Sequence, residues 1–252
     1  MLISRASERH IIDKGKFIIR LVSPGRKLLD PADPNGLGPL GRMDHSTLDP
    51  GMIIPMHPHV NDEILSYMRK GQMMHRDSKG HIELLYGHHM MMMNAGKEFY
   101  HEETCMDDNE DGIEDKVEML QIFFRPKEDD MEPQVQFHNF EFYHSIDLWR
   151  MIGGPEDSDA PLKIRSQAWF FDAHLEQSSI ETPDLDQEGY VGFLYVFEGS
   201  VEIEGTGEVL QKGDNAVFQH EQYILTAQEP TDLVFFILDT RSKYSRNGMY
   251  AK

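Results

Sequence analysis

Gly192 to Glu208 reads GFLYVFEGSVEIEGTGE, and Glu63 to Glu83 reads EILSYMRKGQMMHRDSKGHIE. Each is an apolar run, a glycine-containing turn, a second run and another turn. Runs this short, rich in Ile, Val, Phe and Tyr and bounded by turn residues, read as strands. Further on, Leu84-Leu85-Tyr86-Gly87 and Val209-Leu210-Gln211-Lys212-Gly213-Asp214 each lead a short strand into a turn. A unit repeated in this order predicts an internal duplication and two similar barrels.

Outward from these copies the pattern persists. Lys16 to Val22, His81 to Tyr86, Met119 to Phe124 and Leu233 to Leu238 are further short apolar stretches between Gly, Pro, Asn and Asp. An all-β chain, sandwich or barrel, accounts for them. The best helix candidate is His144 to Met151, and it is short. The polar stretch Arg125 to Gln136, RPKEDDMEPQVQ, carries two prolines and a charge run. It marks the expected boundary between residues 1–133 and 134–252.

Bulk properties exclude several classes. The 252 residues hold 24 Lys and Arg against 44 Asp and Glu, a net charge of -20. Such a surface repels phosphate backbones, so direct nucleic-acid binding is not expected. No apolar run approaches the roughly 20 residues that span a bilayer. The first residues, MLISRASERH, place charges where an export signal needs an apolar core. A lone cysteine, Cys105, allows no internal disulfide and suits a reducing cytoplasm, the expected location.

One constellation carries chemistry. His57-Pro58-His59 places two imidazoles at i and i+2, on one face of an extended chain. His101 and Glu103 repeat that spacing on a later segment. Two such pairs on neighbouring strands can converge on one divalent ion: Fe(II), Mn(II), Ni(II), Cu(II) or Zn(II). Glu63, shortly after the first pair, is a competing carboxylate. Glu102 has the opposite parity and points away.

Weaker signals have plainer readings. Met90 to Met93 face two ways on a strand and read as core packing rather than a soft-metal site. Of His88 and His89, at most one lines the site. Cys105 shares parity with His101 and Glu103 but reads as a small buried hydrophobe. Asp107 to Glu118, DDNEDGIEDKVE, matches a calcium-loop pattern, yet strands rather than helices flank it. In the second half the position of the His pair holds Glu188-Gly189-Tyr190, and His174 and His220 stand isolated. That half is expected to be free of metal.

Beyond spacing, the first 133 residues resemble the pirin family. The likeness runs in order through Ile3-Ser4-Arg5-Ala6-Ser7-Glu8-Arg9, Gly38-Pro39-Leu40, Asp49-Pro50-Gly51 and Met56-His57-Pro58-His59. It continues in Glu63-Ile64-Leu65-Ser66-Tyr67, His75-Arg76-Asp77-Ser78 with Gly80, and Asn94-Ala95-Gly96. His101 with Glu103 and Leu120-Gln121-Ile122 with Pro126 complete it. The resemblance implies two tandem cupin barrels of the double-stranded β-helix (jelly-roll) type. It also implies one divalent metal, Fe(II) favoured, on His57, His59, His101 and Glu103 of the N-terminal barrel, with a degenerate C-terminal barrel.

Two functions follow from the resemblance. One is a quercetin 2,3-dioxygenase-like enzyme opening a flavonol ring with O2, with Glu103 as ligand and general base. The other is a regulator that binds a transcription factor or metabolic enzyme, for which an acidic surface suits a basic partner. The sequence departs from the family at Val60-Asn61-Asp62, where a basic residue is common, and at Gly87 to Met93.

Overall fold

The computed structural model describes residues 1–106 and 116–252. Its first strands are β1 (Leu2–Ser4), β2 (Ile11–Asp13), β3 (Phe17–Val22) and β4 (Leu40–Leu48). Next come β5 (Ile53–His59), β6 (Glu63–Lys70), β7 (Met73–Asp77) and β8 (Ile82–Leu85). They are followed by β9 (His89–Asn94), β10 (Phe99–Cys105), β11 (Val117–Phe124) and β12 (Gln134–Asn139). The second half contains β13 (Arg150–Pro155), β14 (Leu162–Ile164), β15 (Ala168–Leu175), β16 (Ser179–Glu181) and β17 (Tyr190–Glu198). It ends with β18 (Ser200–Ile203), β19 (Glu208–Gln211), β20 (Asn215–Gln219), β21 (Ile224–Ala227) and β22 (Thr231–Asp239).

The all-β expectation is met. Among the described residues the helical segments are two short 3-10 turns, at Ala6–Glu8 and Arg26–Leu28, and no helix is long and apolar enough to cross a membrane. Two compact units form. One comprises residues 10–23, 40–143 and 243–252, the other residues 1–9, 24–39 and 144–242.

Each unit is a pair of sheets. In the first, the larger sheet runs β12-β9-β6-β11-β4-β3-β2 and the smaller β5-β10-β7-β8. In the second, the larger runs β1-β20-β17-β22-β15-β13-β14 and the smaller β16-β21-β18-β19. The orders correspond: β6-β11-β4 matches β17-β22-β15, and the small sheets match strand for strand. Pairing is antiparallel except for β13 with β14. Apolar residues from both sheets meet in each core, such as Ile64, Met91 and Phe99 in one unit and Val196, Leu225 and Phe235 in the other. Alternating side chains thus close two antiparallel β-barrels.

The repeated glycine turn has the same cause in both copies. Gly71 (φ +71°) and Gly199 (φ +79°) follow β6 and β17 in the left-handed region. A Cβ on Gly71 would lie 2.9 Å from the Lys116 carbonyl oxygen and Val117, and one on Gly199 2.5 Å from the Pro230 carbonyl oxygen. The turns that carry the chain from one sheet to the other, β6 to β7 and β17 to β18, therefore pass too close to the starts of β11 and β22 for any side chain.

Two expectations are corrected. His144 to Met151 is not helical: Asp147 has φ +54°, and the backbone alongside pairs with His174, whose N–H donates to the Ser145 oxygen. The division after residue 133 also fails. Arg125 is fully buried, β12 pairs with β9, and the exchange of units falls at Tyr143/His144, with both chain ends crossing over.

Candidate metal centre

Register brings the histidines together. β5 and β10 run antiparallel with His57 opposite His101 and His59 opposite Phe99, so alternation puts all three imidazoles on one face. The Nε2 atoms of His57 and His101 lie 3.0 Å apart. The His59 ring centroid is 5.0 Å from each of the other two. One nitrogen from each ring falls within 4.8 Å of the others. A bulge follows, since the next pair is Glu103 with Ile54 rather than Pro55.

Ring orientations leave Nε2 facing inward. The His57 Nδ1–H donates to the Pro55 carbonyl at 2.9 Å, which fixes the tautomer with a lone pair on Nε2. The His59 Nδ1–H reaches the buried Asp62 carboxylate at 3.3 Å, and His59 Nε2 has no hydrogen-bond partner. Asp62 is itself held: the amides of Tyr250 and Ala251 donate to Oδ1, each at 3.0 Å. Burial pushes the His57 ring below its ordinary pKa. His101 is pushed far lower, by burial first and then by the neighbouring histidines. Both are therefore neutral at physiological pH, the state a metal ligand requires.

These residues fit a divalent transition ion. With metal–nitrogen distances near 2.1 Å, adjacent nitrogens of an octahedral shell sit about 3.0 Å apart, and the His57–His101 pair has that spacing, 3.0 Å. With the His57 lone pair on Nε2, a proton on His101 Nε2 or a cation between the two nitrogens completes this contact.

Glu103 lies beside the triplet rather than within it. Its Oε1 is 4.0 Å from His101 Nδ1, is buried and lacks a hydrogen-bond partner. Burial pushes its carboxyl up to about 7, against a hydrogen bond with Gln121. The competing Glu63 is on β6 of the other sheet, where its Oε2 accepts from Asn94 Nδ2 at 2.5 Å. Met90 to Met93 are all buried, Cys105 joins the core, and neither His88 nor His89 joins the triplet. Residues 107–115 of the calcium-like segment lie outside the described residues.

Sequence reasoning missed several contributors. Asp62 belongs to the stretch Val60-Asn61-Asp62 that departs from the family pattern, and only folding brings Tyr250 and Ala251 to it across 188 and 189 residues. The buried His75, on β7 opposite Glu103, has its ring 5.5 Å from that of His101. Its Nε2 bonds Asp77 at 3.0 Å, and Asp77 also bonds His81 Nδ1 at 2.9 Å. The reading of His174 as isolated is corrected too: it lies with His144 and Asp232.

In the second barrel β16 and β21 replace the ligand strands, and they read SIE and ILTA. No histidine stands at the equivalent places.

Comparison with known proteins agrees with this architecture. The pirin family profile matches residues 27–124, and the quercetinase C-terminal cupin domain matches residues 151–238. A quercetin 2,3-dioxygenase of Escherichia coli K12 is 23% identical over 208 residues, covering 82% of this chain and 86% of its own. A pirin-like protein of Caulobacter vibrioides is 27% identical over 206 residues, covering 80% and 85%. The crystal structure of the bacterial pirin YhhW from E. coli in complex with nickel(II) superposes with a TM-score of 0.79 at 20% identity, covering 94% of this chain and 98% of that one. Two tandem cupin barrels, matched in sequence and in strand order, place the chain in the pirin family.

Proposed function

We propose that this protein is a metal-dependent oxygenase of small aromatic substrates of the flavonol type. One divalent transition ion is held by His57, His59, His101 and Glu103. The observation that carries the reading is the convergence of three imidazoles, those of His59 and His101 buried and that of His57 partly so, with nitrogens within 4.8 Å. Fe(II) is favoured over Mn(II), Ni(II), Cu(II) and Zn(II), because imidazoles plus one carboxylate with open positions is the donor set of non-haem iron oxygenases. The flavonol class rests on relatives named quercetin 2,3-dioxygenase.

When bound, such an ion supplies a Lewis acid that favours the ionised form of a substrate hydroxyl and open positions for the reactants. The chain's own groups do the rest. Pro55 and Asp62 hold His57 and His59 in the required tautomers. The unpartnered Oε1 of Glu103 takes the proton of the substrate hydroxyl. Asp77 orients His75 beside the His101 ring.

Metal content of the purified protein by mass spectrometry, with His57→Ala, His101→Ala and Glu103→Ala variants, tests the site. Oxygen uptake with quercetin tests the chemistry. The reading expects metal loss in the histidine variants and quercetin-dependent oxygen consumption by the wild type. Wild-type metal content in all three variants overturns the ligand set. Metal bound without oxygen uptake on any flavonol moves the reading to a regulator that docks a basic protein, which the net charge of -20 favours.

A further inference from the structure

The C-terminal barrel gathers a second set of metal-ligating groups at a place unrelated to the equivalent of the first. His174 lies near the end of β15 and pairs with Asp232 at the start of β22. Its Nδ1 is 2.8 Å from Asp232 Oδ1. His144 approaches from outside the sheet, its Nδ1 3.3 Å from the same oxygen and its ring 4.3 Å from that of His174. The backbone fixes this approach: the His174 N–H donates to the Ser145 oxygen and the Asp147 N–H to the His174 oxygen, both at 2.8 Å. On the far side of His174, Nε2 lies 3.8 Å from Glu176 Oε1.

His174 Nδ1 and His144 Nδ1 thus both face Asp232 Oδ1, while the exposed Glu176 carboxylate lies beyond hydrogen-bond distance of Nε2. A cation bound between the two Nδ1 atoms and Asp232 leaves the Nε2–H of His174 directed to the outer carboxylate, as metal-bound histidines usually arrange it. His144 Nδ1 is aimed at the same point. The three side chains are only partly buried, so an ion can enter from water and keep water ligands.

We propose that His144, His174 and Asp232 form a second divalent-metal site, suited to late transition ions such as Zn(II), Ni(II) or Cu(II), which imidazole and carboxylate donors favour. It ties β15, β22 and the strand-like segment at Ile146 together. Its third ligand lies outside the matched domain of residues 151–238.

The full-length protein, stripped of metal, is titrated with Zn(II) against a chromophoric chelator. Wild type is compared with His174→Gln, His144→Ala, His57→Ala and the His57→Ala/His144→Ala double variant. His144→Ala alters a partly exposed residue outside the regular strands, so loss of binding there is not loss of fold, and circular dichroism verifies it. The proposal expects His144→Ala and His174→Gln each to lose one equivalent that His57→Ala retains, and the double variant to lose both. Cu(II) loaded into His57→Ala should show nitrogen hyperfine coupling that His144→Ala removes from the double variant. Unchanged stoichiometry in both His144→Ala and His174→Gln overturns the second site, whatever His57→Ala shows.

Discussion

Replacing Asp62 by Asn should separate two jobs done by one carboxylate. Tyr250 and Ala251 donate to Oδ1, each at 3.0 Å, whereas His59 Nδ1 faces Oδ2 at 3.3 Å. An amide oxygen in the Oδ1 position keeps both tail contacts, though as neutral rather than charge-assisted bonds. The difference is about 1–2 kcal/mol of stability. The amide nitrogen then occupies the Oδ2 position and presents a donor to His59 Nδ1. His59 must answer with the other tautomer, carrying its proton on Nε2, where the metal would bind. Loss of such an orienting partner weakens metal affinity about 10–100-fold. Asp62→Ala removes both jobs and leaves two backbone amides without an acceptor, for a larger loss of about 3–5 kcal/mol. Competition against a chromophoric chelator reads the affinity and thermal melting reads the stability. An Asn variant that melts below wild type yet binds metal with unchanged affinity would refute the orienting role of Asp62.

Three further outcomes are expected. Arg125→Met removes bonds from a buried guanidinium to the Ala251 and Lys252 carbonyl oxygens; offset by relief of its burial cost, the loss is about 2 kcal/mol in a urea melt, and an unchanged midpoint would contradict it. Gly199→Ala must combine a left-handed residue with a Cβ 2.5 Å from the Pro230 carbonyl oxygen, so it should lower stability by at least about 2 kcal/mol by calorimetry, and a neutral result would mean the turn relaxes freely. Hydrogen bonds from Ser245 and Asn247 hold the Asp129 carboxyl below its ordinary range. A lowered folded pKa stabilises above the unfolded value, near ~3.9, and that contribution is lost as pH falls through the folded one. The protection factors of the amides of residues 243–247, which divide out the pH dependence of intrinsic exchange, should therefore fall on acidification in wild type. In Asp129→Asn they should already be low at neutral pH.

What could be read from sequence is what strand periodicity and turn chemistry encode. The copies at Glu63 and Gly192 were legible because apolar alternation and a turn glycine recur locally, and β6-β7-β8 and β17-β18-β19 form there. The two His-containing pairs were legible for the same reason, since a two-residue step on a strand fixes a shared face. Asp62 beneath His59 was not, because its partners lie 188 and 189 residues away and leave no periodic trace. His174 looked isolated because β15 meets β22 across more than fifty residues. His144 hid inside a stretch whose residue types suited a short helix; what decides its conformation is pairing to His174, which local propensity does not report.

The crossed chain ends have a consequence for biosynthesis. Leu2–Ser4 pairs with Asn215–Val217, so this segment waits for more than two hundred later residues before it finds its strand. The unit with the histidine triplet likewise lacks residues 243–252 until long after its other strands are made. Neither barrel is complete until these distant segments have been translated, and folding is dominated by contacts remote in sequence, which slows it. The nascent chain must therefore carry an open sheet edge through most of its synthesis, a state prone to aggregation. Cutting the gene between Tyr143 and His144 would give two fragments that each lack a piece held by the other, and co-expression of both halves should recover more folded protein than either alone.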